Sequence, residues 1–142
     1  MRSKFFKSIV VAVIFLFIVS CSTVPLTGRK QLNIIPAGQM MSMSYQQYDD
    51  FLKQNKVSAD KNNTAMIKRV GKKIQGAVET YFAQKYLSAE LQGYELEFNL
   101  VESPDVNDWC MPGGKVVFYT GILPITKDET GVAVVIDRKS VV

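Results

Sequence analysis

The sequence predicts an α+β fold with two N-terminal helices, a small β-sheet and the first turns of a third helix. Apolar residues recur at helical spacing through two long segments of the N-terminal half. From Tyr94 onward apolar and polar residues instead alternate, which is the pattern of a half-buried strand. The 142-residue chain has no internal repeat, and its length is enough for one small domain.

The first 21 residues have the pattern of a bacterial secretory signal peptide that ends in a lipobox. Three basic residues precede an apolar run at 9–19, and Cys21 follows that run. The run is shorter than the roughly 20 residues that a membrane-spanning helix requires. We therefore predict that Cys21 becomes the lipidated first residue of the mature protein and anchors it to a membrane. Ser22 is typical of lipoproteins of the bacterial cell envelope that are sorted to the outer membrane and face the periplasm.

Two other interpretations of this segment stay open. An ordinary signal peptide with a chance cysteine predicts cleavage without acylation. A single-pass anchor formed by residues 9–19 predicts an N-terminus that is neither cleaved nor acylated.

Residues 22–36 contain two prolines and a glycine among polar residues, so we predict that they tether the domain to the anchor. A first amphipathic helix is predicted over Ala37–Lys56. A second, capped by Asn62–Thr64, is predicted to begin near Asn63 or Thr64. Gly71 and Gly76 interrupt the second helix at a cost of about 1 kcal/mol each relative to alanine, which predicts close approach of a neighbouring element at both positions.

Two strands are predicted after the helices. The first covers Tyr94–Leu100, with its glutamates on a solvated face. The second covers Lys115–Thr120 and follows Gly113 and Gly114. Because glycine tolerates positive φ, this pair suits either a tight turn or the rim of a cleft.

The third helix is predicted from Thr126 and Glu129, which have the spacing of a capping box. It begins near Lys127. Cys110, which precedes it, is predicted to pack in the interior beside Trp109, because a catalytic thiol needs a base and the chain contains no histidine.

The overall charge of +4 comes from the two ends of the chain. Three of the 17 basic residues lie in the predicted signal segment, and the stretch 137–139 holds two basic residues and one of the 13 acidic ones. The remaining basic and acidic residues balance. Nucleic-acid binding needs a clustered surplus of Lys and Arg, so we predict no nucleic-acid partner.

Three segments together resemble the zinc metallopeptidases of family 48. The first runs from Asn107 through Trp-Cys-Met-Pro-Gly-Gly to Tyr-Thr-Gly-Ile-Leu, and the second is the capped helix with Gly-Val-Ala-Val-Val. The third, at 24–29, reads Val-Pro-Leu-Thr-Gly-Arg. The family includes HtpX-like heat-shock proteases, CAAX prenyl proteases and envelope lipoproteins, and the third segment is similar to the lipoprotein branch. The resemblance covers Thr23 to Val135.

This resemblance implies a zinc metalloendopeptidase that cleaves protein or peptide substrates in envelope protein quality control. In the family the third helix continues as H-E-x-x-H, whose histidines bind Zn²⁺ and whose glutamate acts as general base, and a further glutamate ligand comes from a later helix. The strand after the double glycine lies at the rim of the substrate cleft. In this sequence that rim corresponds to Asn107, Gly113, Gly114, Val116 and Phe118.

The chain departs from the family at the metal-binding motif. Where the family has Met-Gly-His-Glu, this sequence has Ile136, Asp137, Arg138 and Lys139. Guanidinium stays protonated and offers no lone pair to zinc. We therefore predict that residues 37–136 are the N-terminal part of a metallopeptidase domain, truncated at the start of its zinc-binding helix, and that this fragment binds no zinc and is inactive.

Residues 137–142 are predicted to be non-native. Their sequence, Asp-Arg-Lys-Ser-Val-Val, is the translation of a common sequencing-library adapter. The alternatives are a degenerate pseudoenzyme and a non-catalytic envelope lipoprotein that serves as a binding module. Both alternatives require these six residues to be present in the native gene.

Overall fold

A computed structural model describes residues 21–24, 28–32 and 34–140. The predicted signal segment at 1–20 therefore lies outside the described residues. The described residues divide into two compact units, one up to residue 37 and one from residue 38 onward. In the first unit, strands β1 (Cys21–Thr23) and β2 (Lys30–Leu32) pair antiparallel. The predicted tether thus contains a short hairpin, and its linking role stays a prediction.

The two N-terminal helices lie close to their predicted positions. Helix α1 covers Ala37–Gln54 and α2 covers Lys61–Gln84. The prediction of a cap at Asn62–Thr64 is wrong, because Asp60 caps α2 and its Oδ1 accepts a hydrogen bond from the Asn63 backbone N–H at 3.0 Å. An aspartate at this position satisfies one of the free N–H groups of the first turn.

The second unit contains a mixed three-stranded sheet. Its strands are β3 (Glu97–Val101), β4 (Asp108–Met111) and β5 (Lys115–Tyr119). Strand β5 lies at the centre, parallel to β3 and antiparallel to β4. The β4 strand was not predicted. Short 3₁₀ turns cover Ser88–Leu91 and Thr120–Ile122.

The chain then forms α3 (Leu123–Thr126) and α4 (Glu129–Ser140). Helices and a small sheet coexist in one unit, which confirms the predicted α+β class. No helix among the described residues has the length and apolar character needed to cross a membrane.

Helices cover both faces of the sheet, because alternate residues of a strand point to opposite faces. One face buries Val116 and Phe118 of β5 against Ile67 of α2 and Val132 of α4. The other face buries Val117 against Tyr48 of α1. The central strand is therefore buried on both faces, which places it in the middle of the core.

The two glycines of α2 differ in their surroundings. Gly71 is buried, and a Cβ built on it would lie 2.5 Å from the Phe98 ring. The predicted close approach is confirmed there. The same prediction is wrong for Gly76, whose Cβ would meet no atom within 4 Å.

Candidate functional site

The candidate site consists of β4, the turn after it and the first turns of α4. Strand β4 is at the edge of the three-stranded sheet, whereas β5 pairs with a neighbour on each side. An edge strand presents main-chain N–H and C=O groups to an incoming extended chain. Among the strands that the structure describes, β4 is therefore an edge strand and β5 is not, although Asp108 and Cys110 of β4 each make a further interaction.

The predicted rim residues of β5 lie in the core. The side chains of Val116 and Phe118 are buried under α2 and α4. Asn107 lies on the surface at the entrance to β4, and its carbonyl accepts a hydrogen bond from the Tyr119 N–H at 3.1 Å. Only Asn107 of these three has a side chain open to solvent. The rim assignment itself stays a prediction.

The double glycine forms the tight turn between β4 and β5, and helix α1 packs against this turn. Gly113 and Gly114 have φ of +86° and +88°, a region that side-chain-bearing residues rarely adopt. A Cβ on Gly113 would overlap the ring of Tyr45 in α1. Ser44, also in α1, donates a hydrogen bond of 2.7 Å to the Pro112 carbonyl. Packing against α1 thus accounts for glycine at 113.

Cys110 is exposed, so the prediction that it packs in the interior is wrong. It alternates along β4 with Trp109. The Trp109 ring meets Phe51 of α1 edge-on, with the ring centroids 4.8 Å apart. Trp109, and not Cys110, therefore makes the aromatic contact of this strand with α1.

The start of α4 differs from the predicted capping box. Asp128 caps the helix, since its Oδ1 accepts a hydrogen bond of 3.0 Å from the Gly131 N–H. Thr126 is buried, and its hydroxyl donates to the Leu123 carbonyl at 3.2 Å. The carboxylate of Glu129 points away from the cap, so the predicted reciprocal hydrogen bonds do not form.

Glu129 instead joins α4 to α2. Its two carboxylate oxygens accept hydrogen bonds from Arg69 Nε at 2.7 Å and from Lys73 Nζ at 2.9 Å. Bonding to Lys73 and Arg69 lowers the pKa of the Glu129 carboxyl below its usual range. This ion bridge fixes the first turn of α4 against α2.

A second charged cluster, which the sequence did not reveal, lies on the α1 face of the sheet. The Lys115 side chain is buried, with its Nζ 3.4 Å from Glu95 and 3.3 Å from Glu97. The same ammonium group lies 4.7 Å from the centroid of the Tyr45 ring. Nearby, Asn99 donates a hydrogen bond of 2.9 Å to the hydroxyl of Tyr48. Burial raises the pKa of that hydroxyl above its usual range.

The residues present do not fit a zinc centre. Zinc in proteins takes Cys, His and carboxylate ligands, and the chain has no histidine. Asp137 and Arg138 at the end of α4 are exposed, while Ile136 is buried in the core. Across residues 21–24, 28–32 and 34–140, no three His, Cys, Asp or Glu side chains are grouped closely enough to hold a metal ion.

Cys21, the predicted lipidation site, is the first residue of strand β1.

Comparison with known proteins gives one informative similarity. No protein-family model matches the chain. A mitochondrial metalloendopeptidase of Arabidopsis thaliana, OMA1, is 41% identical over 52 residues. The matched segment is 37% of this chain and 11% of the plant protein. This short similarity supports a relationship to metallopeptidases.

Proposed function

We propose that this chain is the N-terminal part of a zinc metalloendopeptidase whose metal-binding and general-base residues lie outside it. The similarity to a plant metalloendopeptidase over 52 residues is the observation that carries the proposal. The α+β arrangement of the described residues is consistent with it. In the whole enzyme the reaction would be hydrolysis of a peptide bond in a protein or peptide substrate.

The residues of this chain would contribute substrate positioning. In the whole enzyme an extended peptide substrate would align beside β4, an edge strand of the described sheet. Val116 and Phe118, predicted at the rim, would support β4 from the neighbouring strand. Asn107 and the turn at Gly113 and Gly114 lie at the two ends of β4. We place the peptide-binding rim along this strand.

Zinc in the whole enzyme would supply Lewis-acid activation of water. We assign the zinc ligands and the general base to the part of the whole enzyme that lies outside this chain. The proposal extends to location: a lipid anchor at Cys21 would hold the enzyme at the bacterial envelope, with protein quality control as its task.

The proposal is tested by comparing two proteins on unfolded casein. One is the 142-residue chain, and the other is the product of the native gene from the same locus. We expect no cleavage by the 142-residue chain, with or without added zinc. We expect the native product to cleave casein, and a zinc chelator or a Glu→Gln change in its H-E-x-x-H motif to abolish that cleavage. Cleavage that survives both treatments would refute the proposed mechanism.

A further inference from the structure

Helix α2 carries an uninterrupted excess of positive charge. Residues 61–78 include five basic side chains and no acidic one. Four of the five, at 68, 69, 72 and 73, lie on the exposed side of the helix, opposite the buried Ile67 and Val70. The rest of the chain between its two ends has seven basic and twelve acidic residues. The positive charge is therefore concentrated on one face.

These four side chains fall into two pairs with different surroundings. Arg69 and Lys73 bind the two oxygens of Glu129 and so belong to the contact between α2 and α4. Lys68 and Lys72 form no ion pair with any described residue. One carboxylate thus faces four cations, which leaves a net positive surface centred on Lys68 and Lys72.

The surface around Lys68 and Lys72 is flat and open to solvent. All four basic residues and Ala65 line one shallow, open depression. Gly76 continues the same side of the helix, and a Cβ there would meet no atom within 4 Å. From Lys61 to Lys73 this row extends about 18 Å along the helix axis. Neighbouring charges on it are within about 10 Å of one another, the range over which they reinforce each other at ordinary ionic strength.

We propose that the Lys68–Lys72 face of α2 docks on an anionic lipid surface. A flat array of ammonium groups on lysine stems matches the phosphate groups of a bilayer, where each lysine adds to the attraction. A nucleic acid would need a longer basic tract than this face provides. The proposed membrane anchor at Cys21 would hold the domain near such a surface. The inference does not depend on the proposed peptidase activity.

The test measures how the full chain partitions onto vesicles of phosphatidylcholine alone and of phosphatidylcholine mixed with phosphatidylglycerol. The readout is the ratio of the two partition coefficients, because the apolar N-terminal segment binds both kinds of vesicle. The variant is Lys68→Ala with Lys72→Ala, which leaves the Glu129 bridge in place. The matched control is Lys53→Ala with Lys56→Ala, which removes the same charge from exposed positions elsewhere.

We expect the Lys68/Lys72 variant to lose roughly 30-fold of the preference for anionic vesicles, which corresponds to about fivefold per lysine. The control is expected to keep most of the preference. Circular dichroism should show that both variants stay folded, because alanine is a strong helix former. An unchanged ratio in the Lys68/Lys72 variant, or an equal loss in the control, would overturn the proposal. The Lys68/Lys72 variant could also lose self-association while it keeps the preference for anionic vesicles. That result would assign this face to contact with a second copy of the chain and would overturn the proposal.

Discussion

The ring of Phe98 in β3 packs directly on Gly71 in α2. A Cβ built on Gly71 would lie 2.5 Å from Phe98 Cε2, closer than real Cβ contacts occur. Both residues are buried, and this contact brings α2 onto the sheet. The backbone at position 71 is helical, a conformation that any residue can adopt. Packing against Phe98 is therefore the reason that this position needs glycine.

Gly71→Ala should therefore destabilise the protein by about 1–3 kcal/mol, the usual cost of overpacking a filled core. Gly76→Ala is the matched control in the same helix. It should stabilise the protein by up to about 1 kcal/mol, because alanine is the better helix former and nothing obstructs it. Urea unfolding curves of the two variants measure both changes. Equal effects in the two variants would contradict the packing role of Gly71.

Gly113→Ala should cost more than Gly93→Ala. Both glycines have φ near +85°, so both substitutions impose similar backbone strain of about 1 kcal/mol. Only Gly113 also lies under the Tyr45 ring, whereas a Cβ on Gly93 makes an ordinary contact of 3.5 Å with Met41. The difference in the free energy of unfolding between the two variants measures the α1 contact. A Gly113 variant no less stable than the Gly93 variant would show that α1 does not press on this turn.

Glu129 should make the protein more sensitive to acid. Its pKa is lowered in the folded state, so the stability it contributes is complete above the ordinary glutamate pKa of about 4.3 and is lost as the pH falls through the lower folded value. In the Glu129→Gln variant, stability should therefore fall less as the pH is lowered through this acid range. Thermal melts between neutral and acid pH test this expectation.

The partners of Glu129 provide the control for that experiment. In a protein that already carries Arg69→Met and Lys73→Met, the change Glu129→Gln should have no further effect on the acid dependence, because the groups that lower the Glu129 pKa are gone. A Glu129 effect that is as large in this background as in the original protein would contradict the ion bridge.

Removing the charge of Lys115 should reduce the stability of the protein less than shortening its side chain does. Glu95 and Glu97 are 68% and 46% exposed, so water can solvate them once the ammonium group is removed. Lys115→Met should change stability by less than about 1 kcal/mol, since an apolar side chain of similar length can replace a buried ion pair. Lys115→Ala should cost about 2 kcal/mol or more because it leaves a cavity. Denaturant unfolding distinguishes the two, and equal losses would show that the charge itself is required.

Periodicity was a sufficient guide to α1, α2 and β3, because each buries residues at regular spacing. It did not reveal β4, since residues 108–111 do not alternate in hydrophobicity and the Pro-Gly-Gly turn resembles a loop. This strand exists because it pairs with β5. The sequence alone also did not show that the side chain of Cys110 would be exposed.

Helix caps and long-range ion pairs were also hard to predict. Glu129 has the spacing of a capping residue, but Arg69 and Lys73, about 60 positions away in the chain, bind it instead. Asp128 then caps α4. The candidate site could be located from the Trp-Cys-Met-Pro-Gly-Gly segment, but the position of β4 at the edge of the described sheet became clear only from the order of its strands.

The central proposal is that this chain is the N-terminal part of a metallopeptidase whose zinc-binding residues are encoded beyond Ile136. Amplifying and sequencing the native locus across codon 136 tests it most directly. We predict that the native gene continues with Met-Gly-His-Glu-x-x-His in place of residues 136–142. A native gene that instead encodes Asp-Arg-Lys-Ser-Val-Val followed by a stop codon would contradict the claim and favour a non-catalytic envelope lipoprotein or pseudoenzyme.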